Sequence, residues 1–493
     1  MKTPKKLHQK LLRIALSTAT LVSTTLAPVV SGLTPAAEAA TVNAKRADAF
    51  VDSMCVNTHL PYLDTVYGNY AGVKQKLLEL GIRHIRDGGT TTDVITKMKD
   101  LAAAGIKTTF ILDPRSGVAP NSSYWVNSPA YNIKDFVKNK VGTNVIDAVE
   151  VPNEMDLNYS NYYWRPGDPQ KLNDNPNSPL YWVKYMESIT KDTWNALKSD
   201  AATAGVKVIG PSLGRYVVVG QNPLPNLSAY VDWGNSHPYP FGGNPNGGYF
   251  NYATIGNGMY YAHSNFPGNN VDEYPYLFQA FSSPFGSKPM TATETGYYTG
   301  KDTKAVSENV HGKYMPRLFL EYFRKGIVRT CSYELLDEGK DPNWSEANFG
   351  LLRNDFSPKP AYTALKNMIG LLKDPAASFT PGSLDYTITV NPPQGYNRTQ
   401  YVHSLLLQKQ NGKFYLALWH EIANNDTSTS PLRELTPPNM PTTISFKTPI
   451  AAANVFSLET DGRMSSSPFS ITNNTISINA KDRVRIIELT PQK

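Results

Sequence analysis

Between residues 50 and 336, short apolar runs alternate with longer stretches in which apolar positions recur every three or four residues. The short runs read as buried strands and the longer stretches as amphipathic helices. The first run, 50–57, precedes a helix at 70–80 whose Val73, Leu77, Leu78 and Leu80 are spaced for one face and which Gly81 ends. Strands at 82–86 and 106–112 flank a helix at 91–104, and Asp113-Pro114 closes the third strand. The fourth strand runs through Val145, Ile146, Ala148, Val149 and Val151 and stops at Pro152, which has no N–H to give to a ladder. A helix at 180–204 follows, then strands at 206–210 and 229–235, a seventh ending at Glu294, a helix at 311–325 and an eighth strand at 327–336. Eight strands with intervening helices predict an α/β fold, a (β/α)8 TIM barrel.

Beyond a helix at 360–372 the pattern changes to alternation. Runs at 384–390, 401–409, 413–420, 442–446, 454–458, 475–478 and 483–489 are separated by Gly, Pro and Asn turns. They predict an antiparallel β-sandwich. This domain is expected to pack against the barrel, with glycan binding as the sharper alternative. The expected organisation is thus 1–39 as a secretory signal, 40–375 as a catalytic barrel and 376–493 as the sandwich. Neither an internal repeat nor a low-complexity linker interrupts it.

The signal reading rests on Lys2, Lys5, Lys6, Lys10 and Arg13 before an apolar and hydroxylated stretch, then Ala37-Glu38-Ala39, a small-x-small cleavage pattern. Ser17, Thr18, Thr20, Ser23, Thr24 and Thr25 dilute the stretch, which favours cleavage over an uncleaved anchor. The expected destination is extracellular, secreted or held at the cell surface, with no membrane attachment after cleavage. Cleavage removes those five basic residues and Glu38, and takes the formal charge from +7 to +3. A nucleic-acid partner is therefore not expected. The two cysteines, Cys55 and Cys331, fall in the first and last barrel strands, which closure makes neighbours. A bridge and two buried thiols both fit, and free thiols are the expectation. Two cysteines also exclude a disulfide scaffold and a Cys-rich metal site.

Candidate chemistry sits at the strand ends. Asn153-Glu154 lies just past the fourth strand, and Glu294 ends the seventh before Gly296, where a barrel carries its active face. Glycoside hydrolysis needs two carboxyl groups facing each other across one bond. Only a fold that returns its strand ends to one face brings together groups so far apart in sequence. The chain has 29 Tyr, and the long connections at 159–179 and 238–270 are rich in aromatic residues. They are expected to form cleft walls.

With Asn153-Glu154 after the fourth strand, Glu294 after the seventh, Arg86 ending the second and His237-Pro-Tyr239 after the sixth, the sequence resembles clan A of the glycoside hydrolases, families 5, 30, 39 and their neighbours. The resemblance implies Glu154 as acid/base, Glu294 as nucleophile and Asn153 on the sugar 2-hydroxyl. Arg86 and Tyr239 would hydrogen-bond Glu294 and keep it ionised. The implied activity is a retaining glycosidase acting on a poly- or oligosaccharide through a covalent glycosyl-enzyme, with carboxyl groups about 5–5.5 Å apart, against roughly 6.5–9.5 Å for inversion. Many members carry a Trp at the end of the eighth strand, where this chain has Tyr333-Glu334-Leu335, so Tyr333 or Trp344 is expected to replace it.

His59, His237, Trp125 and Trp164 complete the substrate-binding candidates. Asp337, Glu338, Asp341 and Glu346 form an acidic loop expected to be a solvated turn, since it lacks the spacing of a calcium loop. No metal and no cofactor is expected, and the chain is expected to be a monomer. The alternative from another class is a catalytically silent barrel that binds a cell-surface glycan; the pair of carboxylates argues against it.

Overall fold

The computed structural model describes residues 40–493 except 126–129, 215–221, 241–244, 246–281, 376–377, 395, 397–398, 427–428 and 493. The expected signal segment and most of the 238–270 connection lie outside these residues. Eight parallel strands form one sheet: β1 Met54–Asn57, β2 His84–Asp87, β3 Lys107–Ile111, β4 Ile146–Glu150, β5 Lys207–Ile209, β6 Gly234–Ser236, β7 Met290–Thr295 and β8 Arg329–Ser332. They lie in the order β6-β7-β8-β1-β2-β3-β4-β5. The ends of this order meet where Ile209 bridges Trp233 and the Gly210 N–H donates to the Trp233 carbonyl at 2.9 Å. The sheet is a barrel, as expected.

Local chemistry sets the surrounding helices. Helix α1 (Tyr70–Leu80) buries Val73, Leu77 and Leu80. The Asn69 side chain caps it through Gly72 N, and Gly81 ends it at φ 79°, a left-handed conformation that glycine adopts without steric cost. Helix α2 (Thr92–Ala103) starts on the Thr91 side chain, which accepts from Val94 N. Helices α3 (Trp182–Lys198), α4 (Glu308–Arg324) and α5 (Pro360–Leu372) follow later in the chain.

Three boundaries differ from the sequence reading. Phe50 and Val51 belong to a helix, Ala47–Asp52, so β1 begins only at Met54. Residues 229–233 are not strand, because a turn at Ser228–Tyr230 reaches into them and β6 is only Gly234–Ser236. A helical segment, Ile133–Asp135 continuing as Phe136–Val141, lies between β3 and β4, where none was expected. Short elements held by tertiary contacts carry little periodic signal.

The cysteines correct another expectation. The parallel register of β8 on β1 pairs Cys331 directly with Cys55, and the two form a disulfide. Free thiols were expected because burial alone cannot tell a thiol from half of a bridge.

The C-terminal strands are β9 Ser383–Val390, β10 Val402–Gln408, β11 Phe414–His420, β12 Met440–Phe446, β13 Ile450–Leu458, β14 Met464–Phe469, β15 Thr475–Ala480 and β16 Arg485–Pro491. One sheet has the order Ala40–Asn43, β9, β12, β15; the other runs Lys45–Arg46, β10, β11, β16, β13, β14. The segment 40–46, counted with the barrel in the sequence reading, thus adds a strand to each sandwich sheet. Strand β14 went unread because Met-Ser-Ser-Ser-Pro-Phe offers no buried face.

Every residue of β11 is buried, since its sheet is covered on both sides. Phe414, Leu416 and Leu418 enter the sandwich core, while Tyr415, Ala417 and Trp419 join the barrel's core. At this seam Arg317 of α4, fully buried, donates to Glu421 at 3.1 Å, Asn424 Oδ1 at 3.0 Å and the Ile422 carbonyl at 2.9 Å. The sandwich packs against the barrel as a fixed part of it.

Candidate active site

Pro152 ends the fourth strand's ladder, and the chain turns sharply, with Glu154 at φ 41°, ψ 53°. A non-glycine residue in this region is strained, and such residues concentrate at functional sites. The turn brings Glu154 over the barrel mouth. On the far side, β7 loses register against β8 between Ala292 and Thr295, a bulge that spans Thr293 and Glu294. A bulge re-aims side chains. Gly296 then takes φ 154°, and a Cβ there would lie 2.6 Å from the Tyr333 carbonyl oxygen. The two carboxylates that were 140 positions apart now present oxygens within 4.8 Å of each other, with His237 Nδ1 inside the same group.

Beneath them Arg86 spreads over four side chains. Nη1 donates to Glu294 Oε1 at 2.6 Å and to Asn57 Oδ1 at 2.9 Å; Nε and Nη2 reach the two Glu150 oxygens at 2.5 and 2.9 Å; Nη2 also reaches Asn153 Oδ1 at 2.6 Å. Arg86 therefore serves Glu150 as much as Glu294, whereas the sequence reading gave it to Glu294. Burial opposes the Glu150 charge, but Arg86 and the approach of His237 outweigh it and bring its pKa down to about 2. Tyr239 donates to Glu294 Oε2 at 2.8 Å. Burial would push Glu294 up as well, yet the charges of His237 and Arg86, with the Tyr239 hydrogen bond, hold it below the ordinary carboxylate range.

His237 connects the two carboxylates. Nδ1 lies 2.8 Å from Glu154 Oε1 and 3.6 Å from Glu294 Oε2. The Thr293 hydroxyl receives Asn235 Nδ2–H at 2.8 Å and faces Glu150 Oε1 at 3.1 Å. Donating to Glu150, it accepts from His237 Nε2 at 2.9 Å, which fixes a hydrogen on that nitrogen. Burial would lower this imidazole, but the Glu294 charge and the bonds to Glu150 and Glu154 push it up to about 10. The ring is a cation shared by both candidate catalytic groups.

The cleft above has a volume of about 1000 Å³, and its lining includes His59, Arg86, Asn153, Glu154, His237, Tyr239, Glu294, Tyr333 and Trp344. The structure brings all of these together. Trp125 and Trp164 are not among the lining residues; both pack against the barrel core, and Trp164 sets its ring edge on Tyr185 at 5.6 Å. The acidic loop is only in part the expected solvated turn, since Asp341 and Glu346 are exposed. Asp337 is buried on Lys359 Nζ at 2.7 Å, while Glu338 and Glu346 line the cleft.

Sequence reading missed Asn57, Glu150, Asn235 and Thr293. Their signal was weak: Glu150 stands between Val149 and Val151 in a strand run, and a polar side chain in a barrel interior needs a partner, whereas Asn57, Asn235 and Thr293 each have a polar neighbour and do not stand out. His59, between Glu334 and Glu338, is another imidazole that carboxylates hold protonated, its pKa pushed up to about 9 against burial. With His237 it could be taken for a metal ligand on spacing alone.

Fold and site together describe a (β/α)8 barrel with an associated β-sandwich and a carboxylate pair at the C-terminal ends of its strands. Among solved structures the chain is similar to a family 39 glycoside hydrolase from Bacteroides cellulosilyticus WH2, at 17% identity and TM-score 0.56 over 90% of this chain and 82% of that one. It is also similar to a monomeric beta-xylosidase from Caulobacter crescentus CB15, at 16% identity and TM-score 0.53 over 92% and 98%. A GH39 enzyme from Xanthomonas axonopodis pv. citri aligns at 15% identity and TM-score 0.51 over 91% and 96%. At these identities the likeness is one of fold. No protein-family model and no curated relative matches the chain.

Proposed function

We propose that the chain is a retaining glycosidase of a poly- or oligosaccharide, with Glu294 as nucleophile and Glu154 as acid/base. The observation that carries this reading is the pair itself: oxygens within 4.8 Å of one another at the mouth of the barrel, in keeping with the close carboxyl pair of about 5–5.5 Å that retention uses and not the roughly 6.5–9.5 Å of inversion. In the first step a Glu294 oxygen attacks the anomeric carbon, the bond to the leaving oxygen breaks, and Glu154 gives that oxygen its proton. In the second step Glu154 takes a proton from water, the water oxygen attacks the same carbon, and Glu294 leaves as a carboxylate. One water is consumed and both groups return to their starting forms.

The surroundings of the two acids support this division. Glu294 is held ionised by Arg86 and Tyr239, as a nucleophile must be. When Glu294 becomes an ester its charge disappears and Glu154 acquires one. The cationic His237, within reach of both, stabilises either arrangement without moving. Asn153, held by Arg86, is positioned to meet a sugar hydroxyl. A family 39 glycoside hydrolase and a beta-xylosidase among the similar folds make xylosides a first choice of substrate. The Caulobacter protein is described as monomeric, in keeping with a monomer here. Export through residues 1–39 is part of the proposal. No helix among the described residues is long and apolar enough to cross a membrane.

The test is a panel of aryl glycosides and polysaccharides with wild type, Glu154→Ala and Glu294→Ala. Glu154→Ala should keep turnover of dinitrophenyl glycosides, which need no protonated leaving group, and azide should accelerate it to give a glycosyl azide of retained configuration. Glu294→Ala should lose activity on every substrate. Azide rescue in Glu294→Ala with retained configuration, together with inverted product from Glu154→Ala, would mean that the two roles are exchanged. Glycan binding without hydrolysis by the wild type would favour the silent barrel.

A further inference from the structure

On the Tyr333 side of the cleft, Glu334 and Glu338 meet the His59 imidazole, and Glu346 lines the same open space. Glu338 and Glu346 line the open space, and Glu334 lies fully buried behind them. His59 hydrogen-bonds Glu338 through Nδ1, which also lies 3.4 Å from Glu334 Oε2. Tyr67 donates to that same Glu334 oxygen at 2.8 Å. The other oxygen, Glu334 Oε1, is buried with no hydrogen-bond partner. Buried carboxylate oxygens rarely go without a donor.

The nearby Asp87 does not add to the imbalance, because Thr58 Oγ1 at 2.6 Å, Leu60 N at 2.9 Å and Gly88 N at 2.7 Å satisfy it. Among the described residues, the two other cations lining the cleft, Arg86 and His237, are committed to Glu150, Glu294 and Glu154. Burial first, then the charges of Glu294, Glu154 and Glu338, hold Glu346 above the ordinary carboxylate range against a hydrogen bond from Tyr333. The chain as a whole carries a formal charge of +7, so the negative charge here is local and not that of the whole chain. Tyr62 and Trp344, 47% and 55% exposed, stand at the same cleft and offer flat faces to a pyranose ring.

We propose that this half of the cleft binds a sugar bearing a free protonated amino group, with Glu338 and Glu346 receiving the ammonium beside the buried Glu334. The inference rests on the glycosidase reading and names its substrate class: an amino sugar with its amine unacylated. A neutral sugar can give hydroxyl hydrogens to these oxygens, but it leaves the charge uncompensated. An ammonium supplies both hydrogens and charge.

The experiment uses matched 2-amino, 2-acetamido and 2-hydroxy aryl glycosides in the gluco and galacto series, both anomers, with calorimetry on glucosamine and galactosamine oligosaccharides and their N-acetylated forms. The free amine should be favoured roughly 10- to 100-fold in kcat/KM or in Kd, the worth of one charge-assisted hydrogen bond. That preference should shrink as salt rises to about 0.5 M, because added ions screen the cleft field. Glu338→Gln and Glu346→Gln should each lower the amine-to-acetamide ratio about tenfold or more. If neutral glycosides are cleaved as well as the amines in every series, the inference is overturned while the glycosidase reading stands. If the amines bind selectively yet nothing is hydrolysed, the inference stands and the catalytic reading fails. Equal binding of amine and acetamide oligosaccharides, or a requirement for Ca²⁺ or Zn²⁺ that EDTA abolishes, would also overturn it.

Discussion

Tyr239→Phe removes a single oxygen from beside the nucleophile. That hydroxyl donates to Glu294 Oε2 at 2.8 Å, while the ring keeps its edge contacts with Tyr333 at 6.4 Å and Phe349 at 5.7 Å. Phenylalanine fills the same space, so the change is electrostatic. A hydrogen bond to a charged group contributes roughly 1.5–3 kcal/mol, and about 1.4 kcal/mol corresponds to one pKa unit. Glu294 sits below the ordinary range because His237, Arg86 and Tyr239 outweigh burial; deleting one lowering contact moves it up by about one to two units. The nucleophile must be ionised, so the acidic limb of kcat/KM moves to higher pH by the same amount, and the loss is greatest on the acid side. The assay is initial rates on an aryl glycoside across the pH range for wild type and variant, with circular dichroism to confirm the fold. An acidic limb at the wild-type position would refute the reasoning, because Tyr239 would then not be supporting the ionised form of the group that sets that limb.

Three further outcomes follow from buried charge and covalent closure. Glu150→Gln leaves Arg86 short of its main partner and should cost about 3–5 kcal/mol in denaturant unfolding. Because Glu150 has a folded value of about 2 against an ordinary 4.5, its contribution is fully present above pH 4.5 and is lost as pH falls through 2, so the gap between wild type and variant should close over that window. Arg317→Met strands Glu421 at the seam between barrel and sandwich and should cost a similar amount, with barrel and sandwich still unfolding together; separate transitions by two probes would contradict the shared core. Removing both cysteines (Cys55→Ala with Cys331→Ala) opens a link across 276 residues and should lower stability by about 2–5 kcal/mol under oxidising conditions, with no difference from wild type once dithiothreitol has reduced the bridge.

The sequence by itself determined the architecture, because two periodicities do not mix: apolar runs separated by three-to-four spacing can bury their surface only as strands within helices, and the alternation after 384 only as a two-faced sheet. It also located Asn153, Glu154 and Glu294, since Pro152 and Gly296 mark where strands stop. Tertiary structure alone decided how these groups are charged. Glu150 passed as part of an apolar strand until the barrel turned it inward onto Arg86, and His237 became a cation only through carboxylates supplied by β4, its following turn and β7. Likewise Trp125 and Trp164 carry the same letters as Trp344, yet core packing claims the first two and leaves the third at the cleft. The acidic loop read as solvent-facing because spacing records neighbours along the chain, whereas Lys359 and His59 reach it across the fold. The disulfide, too, was settled by strand register, a relation between β8 and β1 that closure of the barrel creates and neither strand encodes alone.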